Sequence, residues 1–338
     1  LSTSTSGTSN FIAGVNAGNS ITSGGNLNVL VGDEAGTALT TGDANVAVGY
    51  KALFTEDANG QNVAVGYNSL MTLNAGAEGN NVAVGFKAGE AVTTGRLNTL
   101  IGGSTGSATT TANNVTAVGA SALSANTTGA DITAVGAAAL ATNTTGASNT
   151  AVGYGALNAN TTAANNTGIG AYALVANTTG ASNTAVGRKA LTTNTTGESN
   201  TAVGLNSQLL VVTGDNNTSL GVEALRNNTA SNNTAVGKDA LRVNTTGTQN
   251  TAVGTASLGA NTTGGYSVAV GFNALDAATT GDYNTAVGRE ALGSVTTADS
   301  NTGIGRNAGS AITTGSNNVA VGALTLDANT TGQRNTAV

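Results

Sequence analysis

Small apolar, polar and glycine positions alternate along this chain with a period that persists from end to end. The segment Asn-Thr-Ala-Val-Gly, or a near variant, recurs from Gly14 and Gly32 through to Gly305 and Gly322; 15 of the 18 intervals between its glycines are 17 residues, and the others are 18, 19 and 16. The full unit reads N-T-A-V-G-x-x-A-L-x-x-N-T-T-G-x-x, as in Asn183 to Ser199. Numbered from its first Asn, the unit has Val, Ile or Leu at position 4, Thr or Val at position 2, and usually Ala at position 3. That is period-two alternation of β-branched residues, which predicts a short strand with positions 2 and 4 on one face. A second apolar pair follows at positions 8 and 9, as in Ala190-Leu191. Two glycines per unit leave no room for a useful helix. The expected fold is all-β, a parallel β-solenoid (β-roll) of 17-residue coils. Residues 1–338 read as one continuous array of about 20 coils, cut within a coil at both ends, with Leu1 at position 9 and Val338 at position 4. The chain is therefore expected to be a section of something longer.

Charge placement follows the same period. All charged side chains except Glu56 and Asp57 fall at positions 6, 7, 10, 16 or 17, with Glu78 in the corresponding turn of the longest coil. A disordered tract would scatter its charges, so these positions are expected to be solvent-facing corners. Position 12 mixes chemistries. It is Asn at Asn126, Asn143, Asn160 and Asn194, but apolar at Leu39, Val92, Val211, Val295 and Ile312. Either the Asn amides stack in a buried ladder from coil to coil, or Asn merely starts a turn. Position 15 is usually Gly, which predicts a corner with positive φ.

Composition narrows the chemistry. The chain has no Cys, His, Trp or Pro, and only 8% of its residues are charged. Disulfide, zinc, haem, thiol and His-dependent catalysis are excluded. With 11 Lys+Arg against 17 Asp+Glu there is no basic face for nucleic acid. No apolar run is long enough to span a membrane. No cofactor, metal ligand or catalytic residue is identified, and the chain is not expected to be an enzyme. Asp282 and Asp299 share position 16 and could approach as a carboxylate pair, but a charged turn column explains them. Asp33-Glu34 could touch a cation, although a solvated corner accounts for it. The N-T-T triplets match a glycosylation acceptor, but a structural ladder explains their period. Tyr50, Tyr67 and Phe86 occupy position 6 in three successive coils. They are the candidate surface contacts, for sugar rings or a neighbouring fibre, with a stabilising aromatic ladder as the favoured account.

The repeated N-[TSV]-x-[VI]-G with its second half-coil, from Asn10-Phe11-Ile12-Ala13-Gly14 to Asn335-Thr336-Ala337-Val338, resembles the head repeats of trimeric autotransporter adhesins. The longer form through N-T-T-G is similar to repeats of bacteriophage tail fibres. The resemblance implies a trimeric parallel β-roll on a bacterial or virion surface, although adhesin coils are typically shorter than these. A thin core, with small residues at positions 3 and 8 that would let a second surface approach, also suggests a homotrimer. The expected function is a structural or adhesive surface fibre segment, a rigid shaft or head mediating attachment. Its expected partners are further copies of itself, in a trimer or filament, and a cell-surface glycan or protein receptor. A self-assembling extracellular filament is the main alternative. Ice binding through the Thr-Thr columns ranks below both.

Overall fold

The computed structural model describes residues 7–338. The expectation for Leu1 lies outside these residues. The fold is an all-β parallel β-solenoid of about 19 coils with a 17-residue repeat. Two compact units, 1–166 and 167–338, are built from the same coil. In the first, strands run from β1 (Phe11–Ala13) to β9 (Thr150–Val152); in the second, from β10 (Thr167–Ile169) to β20 (Thr336–Ala337). Strands are three residues long except β20, and within each unit successive ones pair in parallel with equivalent positions opposite each other. Thus Thr116, Ala117 and Val118 face Thr133, Ala134 and Val135 in the first unit, and Thr184, Ala185 and Val186 face Thr201, Ala202 and Val203 in the second.

The strand alternates as predicted, but its faces are reversed with respect to the trimer argument. Position 3 points inward, where Ala134, Ala185 and their counterparts are fully buried, and so does position 8, as in Ala139 and Ala190. Positions 2 and 4 point outward and stay partly exposed. Small residues at 3 and 8 therefore do not admit a second surface. They let opposite walls of a thin coil close on each other around one Leu per coil at position 9, such as Leu140 or Leu191.

That Leu adopts a conformation its residue type disfavours. Leu191 has φ 51°, in the left-handed region, and Lys189 and Ser199 at positions 7 and 17 of the same coil have φ 59° and 57°. A non-glycine residue held there costs on the order of 1–3 kcal/mol unless its surroundings over-determine it. They do so here: the Leu140 amide donates to the Ala156 carbonyl of the next coil at 3.0 Å, and its side chain fills the core. Five coils place Gly at position 9 instead, namely Gly18, Gly36, Gly89, Gly106 and Gly309. Volume returns from position 12, where those coils carry Ile21, Leu39, Val92, Thr109 and Ile312. It also returns from position 3, where the first, second and fourth carry Ile12, Leu30 and Leu100. A Cβ on Gly106 would lie 2.9 Å from the Leu100 side chain and 3.2 Å from Thr109 Oγ1, so the exchange is steric.

The two conserved-looking glycines of the motif do different work from what the pattern suggested. Gly at position 5 has the positive φ: Gly187 sits at 134°, and a Cβ there would come within 2.6 Å of the Gly204 carbonyl oxygen. Position 15 does not have positive φ, which corrects the expectation. Its carbonyl accepts two buried amides, as where Asn183 and Asn194 Nδ2 both donate to the Gly197 oxygen at 2.7 and 3.0 Å. Crowding restricts that position to small residues; Ala163 does the same for Asn149 and Asn160 at 2.8 and 3.0 Å.

Candidate functional site

Most polar groups that could form a site are consumed by ladders along the stack. At position 12, Asn143 Nδ2 donates to Asn126 Oδ1 at 2.9 Å and Asn160 Nδ2 to Asn143 Oδ1 at 2.8 Å; all three are fully buried. Asn244 and Asn261 extend the same arrangement from Asn228, at 2.7 Å each, in the second unit. The buried-ladder reading of position 12 holds. Its N-T-T asparagines are buried in the core, as in Asn126, Asn177 and Asn261, except Asn329 in the last coil, which is partly exposed. Position 1 forms a second Asn ladder that the sequence reading did not assign. Asn45 N donates to Asn28 Oδ1 at 2.8 Å, and Asn28 Nδ2 to the Gly42 carbonyl at 2.9 Å. Its signal was an Asn opening almost every repeat.

The acidic corners are used similarly. Asp299 Oδ1 accepts from Asp282 N at 2.8 Å, and Asp282 Oδ1 from Gly265 N at 2.7 Å. This pair is a column of carboxylates, each receiving the backbone N–H of the preceding coil. Glu34 lies 3.3 Å from Lys51 Nζ, and that hydrogen bond, with a second that Lys51 donates to Tyr50, holds the Lys51 ammonium above its ordinary range. Among the described residues no group of three or more acidic side chains could hold a metal ion, and no helix is long and apolar enough to cross a membrane.

Glu56, one of the two charges outside the pattern, occupies position 12 and is fully buried. It takes the place of an Asn amide and accepts from Asn59 N and Nδ2 at 3.1 and 2.8 Å and from Ala75 N at 3.3 Å. Burial pushes its carboxyl above the usual range, against those hydrogen bonds.

The three candidate contact residues do come together. The rings of Tyr50 and Tyr67 stack at 5.2 Å and those of Tyr67 and Phe86 at 5.4 Å, while remaining 38%, 46% and 55% exposed. Lys51 lies 5.3 Å from the Tyr50 ring centroid and Lys87 5.7 Å from that of Phe86, so cations flank the strip. The stack stabilises adjacent coils and offers its outer edge to solvent. Tyr266 and Tyr283 form a second stack, at 5.0 Å, on position 17 of the second unit. The sequence reading missed it, although their separation equals the period.

The outward strand face is an uncharged surface repeated along each unit. Outside β1, which carries Phe11 and Ala13, it has Thr or Val at position 2 and Val, Ile or Leu at position 4, a position that β20 does not reach. Ile101, Leu220 and Ile304 on it are 38%, 50% and 42% exposed. Hydroxyls at position 13 donate to the next coil, as from Thr127 to the Thr144 carbonyl at 3.0 Å. Those at position 2, from Thr116 to Thr150 and from Thr184 to Thr251, make no hydrogen bond to protein among the described residues. No family model matches the chain, and a search of curated proteins finds no match.

Proposed function

We propose that this chain is a segment of an attachment fibre outside a cell or on a virion: a non-enzymatic β-solenoid shaft or head of an adhesin or tail fibre, assembled as a homotrimer. The carrying observation is the contrast between two sets of residues. Asn amides, acidic corners and position-13 hydroxyls are committed to coil-to-coil bonds, while an uncharged β-branched face is left open along each unit. A scaffold whose polar groups bond along the stack resists bending and offers proteases little free backbone. Its open face repeats at every coil, so copies of the chain can meet on it in register. The resemblance to adhesin heads and tail-fibre repeats supports the same reading. Sedimentation of the chain is expected to give a single trimeric species, and electron microscopy rods of uniform width. A monodisperse folded monomer would remove the homotrimer, and open-ended filaments would favour self-assembly as the function.

One observation favours the ice-binding alternative, on a column other than the one first considered. The free hydroxyls lie at position 2, beside the position-4 methyls, in an array spaced by about 4.8 Å between coils. Thermal hysteresis at micromolar chain concentration supports that reading; its absence removes it.

A further inference from the structure

In one coil of the second unit the outward corner positions carry only short side chains. Positions 6, 7, 10 and 11 of the coil that begins at Asn250 are Thr255, Ala256, Gly259 and Ala260. The coil before carries Lys238, Asp239, Arg242 and Val243 there, and the coil after carries Phe272, Asn273, Asp276 and Ala277. Long side chains on both sides of a coil that has almost none leave a notch of about 730 Å³, within the range of small-molecule sites.

The two walls differ in chemistry. On one, Lys238 and Arg242 lie 3.6 and 3.7 Å from Asp239, which steadies both while leaving them N–H groups to donate. On the other stands Asp276, an acceptor with no ion-pair partner among the described residues. Burial raises its carboxyl above the usual range, partly offset by the Asp276 and Ala277 amides, and the charge of Glu290 raises it further. Between the walls, Ala256 and Ala260 give an apolar floor, and Val222 and Val243 line the donor side. Phe272, 49% exposed, belongs to the same coil as Asp276.

We infer that this notch binds a single ring of a neutral or amino-bearing saccharide. A sugar ring presents hydroxyls that both donate and accept around an apolar C–H face, and the notch supplies donors on one wall, an acceptor on the other and methyl groups between. Three carboxylates against two cations line it, so sialic and uronic acids are disfavoured. The inference gives the attachment fibre its ligand class and rests on that reading.

The test uses the full chain on immobilised neutral, amino-bearing and sialylated oligosaccharides. Gly259→Gln fills the notch at a position where neighbouring coils already carry Arg242 and Asp276, so the fold accommodates it. Asp276→Asn removes the acceptor charge. Neutral or amino-bearing sugars are expected to bind, with roughly tenfold or greater loss in both variants at unchanged circular dichroism. Arg188→Ala, at an exposed corner outside the notch, should bind as the parent does. Sugar binding that survives Gly259→Gln overturns the notch and leaves the attachment reading standing. Attachment to whole cells without binding to any sugar does the same. Preference for sialylated sugars overturns the charge argument and with it the inference.

Discussion

At the scale of single residues, glycine has two physical roles here, and they can be separated by experiment. Position 5 needs glycine for both conformation and space, whereas position 15 needs only a small residue, because Ala112, Ala163 and Ala298 occupy it in other coils. Gly187→Ala is therefore expected to destabilise by at least about 1–3 kcal/mol. Gly197→Ala, where a Cβ crowds Asn194 Oδ1 and the Gly214 carbonyl oxygen but the backbone conformation is ordinary, should cost less than Gly187→Ala. Chemical denaturation of the two variants checks the contrast, and equal losses would refute it. Glu56 makes the second residue-level expectation. A carboxyl whose folded pKa is raised above its ordinary value near 4.5 binds its proton more tightly when folded. Stability from this group is thus full below that value and falls as pH rises through the raised one. Glu56→Gln should flatten this part of the pH profile of thermal stability. An unchanged slope would show that Glu56 is not its source.

At the scale of the element, a coil is a set of columns, and each column is satisfied only by its neighbours. Val92 and Leu39 show that position 12 accepts an apolar side chain, and yet Asn143→Val is expected to destabilise by about 1–3 kcal/mol. The reason is that Asn126 Oδ1 loses its donor and Asn160 Nδ2 one of its acceptors, both inside the core. The double variant Asn143→Val, Asn160→Val should lose less than twice that amount, which a double-mutant cycle measures. Much of the element was legible in advance. The strand and the corners followed from period-two alternation and charge placement, and the mixed chemistry of position 12 raised the ladder as one of two readings. The left-handed Leu at position 9 was not, since nothing in Ala-Leu marks it as a turn. Its trace in the sequence is the substitution of Gly at Gly18, Gly36, Gly89, Gly106 and Gly309, matched by larger residues elsewhere in the coil.

At the scale of the whole molecule, the uncharged strand face is the surface through which the proposed self-association would act. Val135→Lys and Val152→Lys place a charge on partly exposed position-4 residues without touching the core. In combination they are expected to convert the proposed oligomer to monomer at unchanged circular dichroism, since each charge would be desolvated against a second copy. Unaltered sedimentation would place the contact elsewhere on the coil. The aromatic strip of Tyr50, Tyr67 and Phe86 gives an independent expectation. Tyr67→Ala, the middle ring, should lower stability by about 1–3 kcal/mol through loss of both stacks.

The sequence by itself determined the coil: its length, its strand, its corners and the absence of Cys and His chemistry. A repeat states the local pattern many times over, and local alternation is enough to specify a strand. It did not determine which face of that strand looks inward. Ala-in and Val-out have the same period as Val-in and Ala-out, and hydrophobicity alone favours the larger residue for the core. Only the tertiary structure decided, because a short closed coil has room between its walls for Ala, Asn and one Leu. That choice left the β-branched residues outside, on the face where another copy of the chain can meet them.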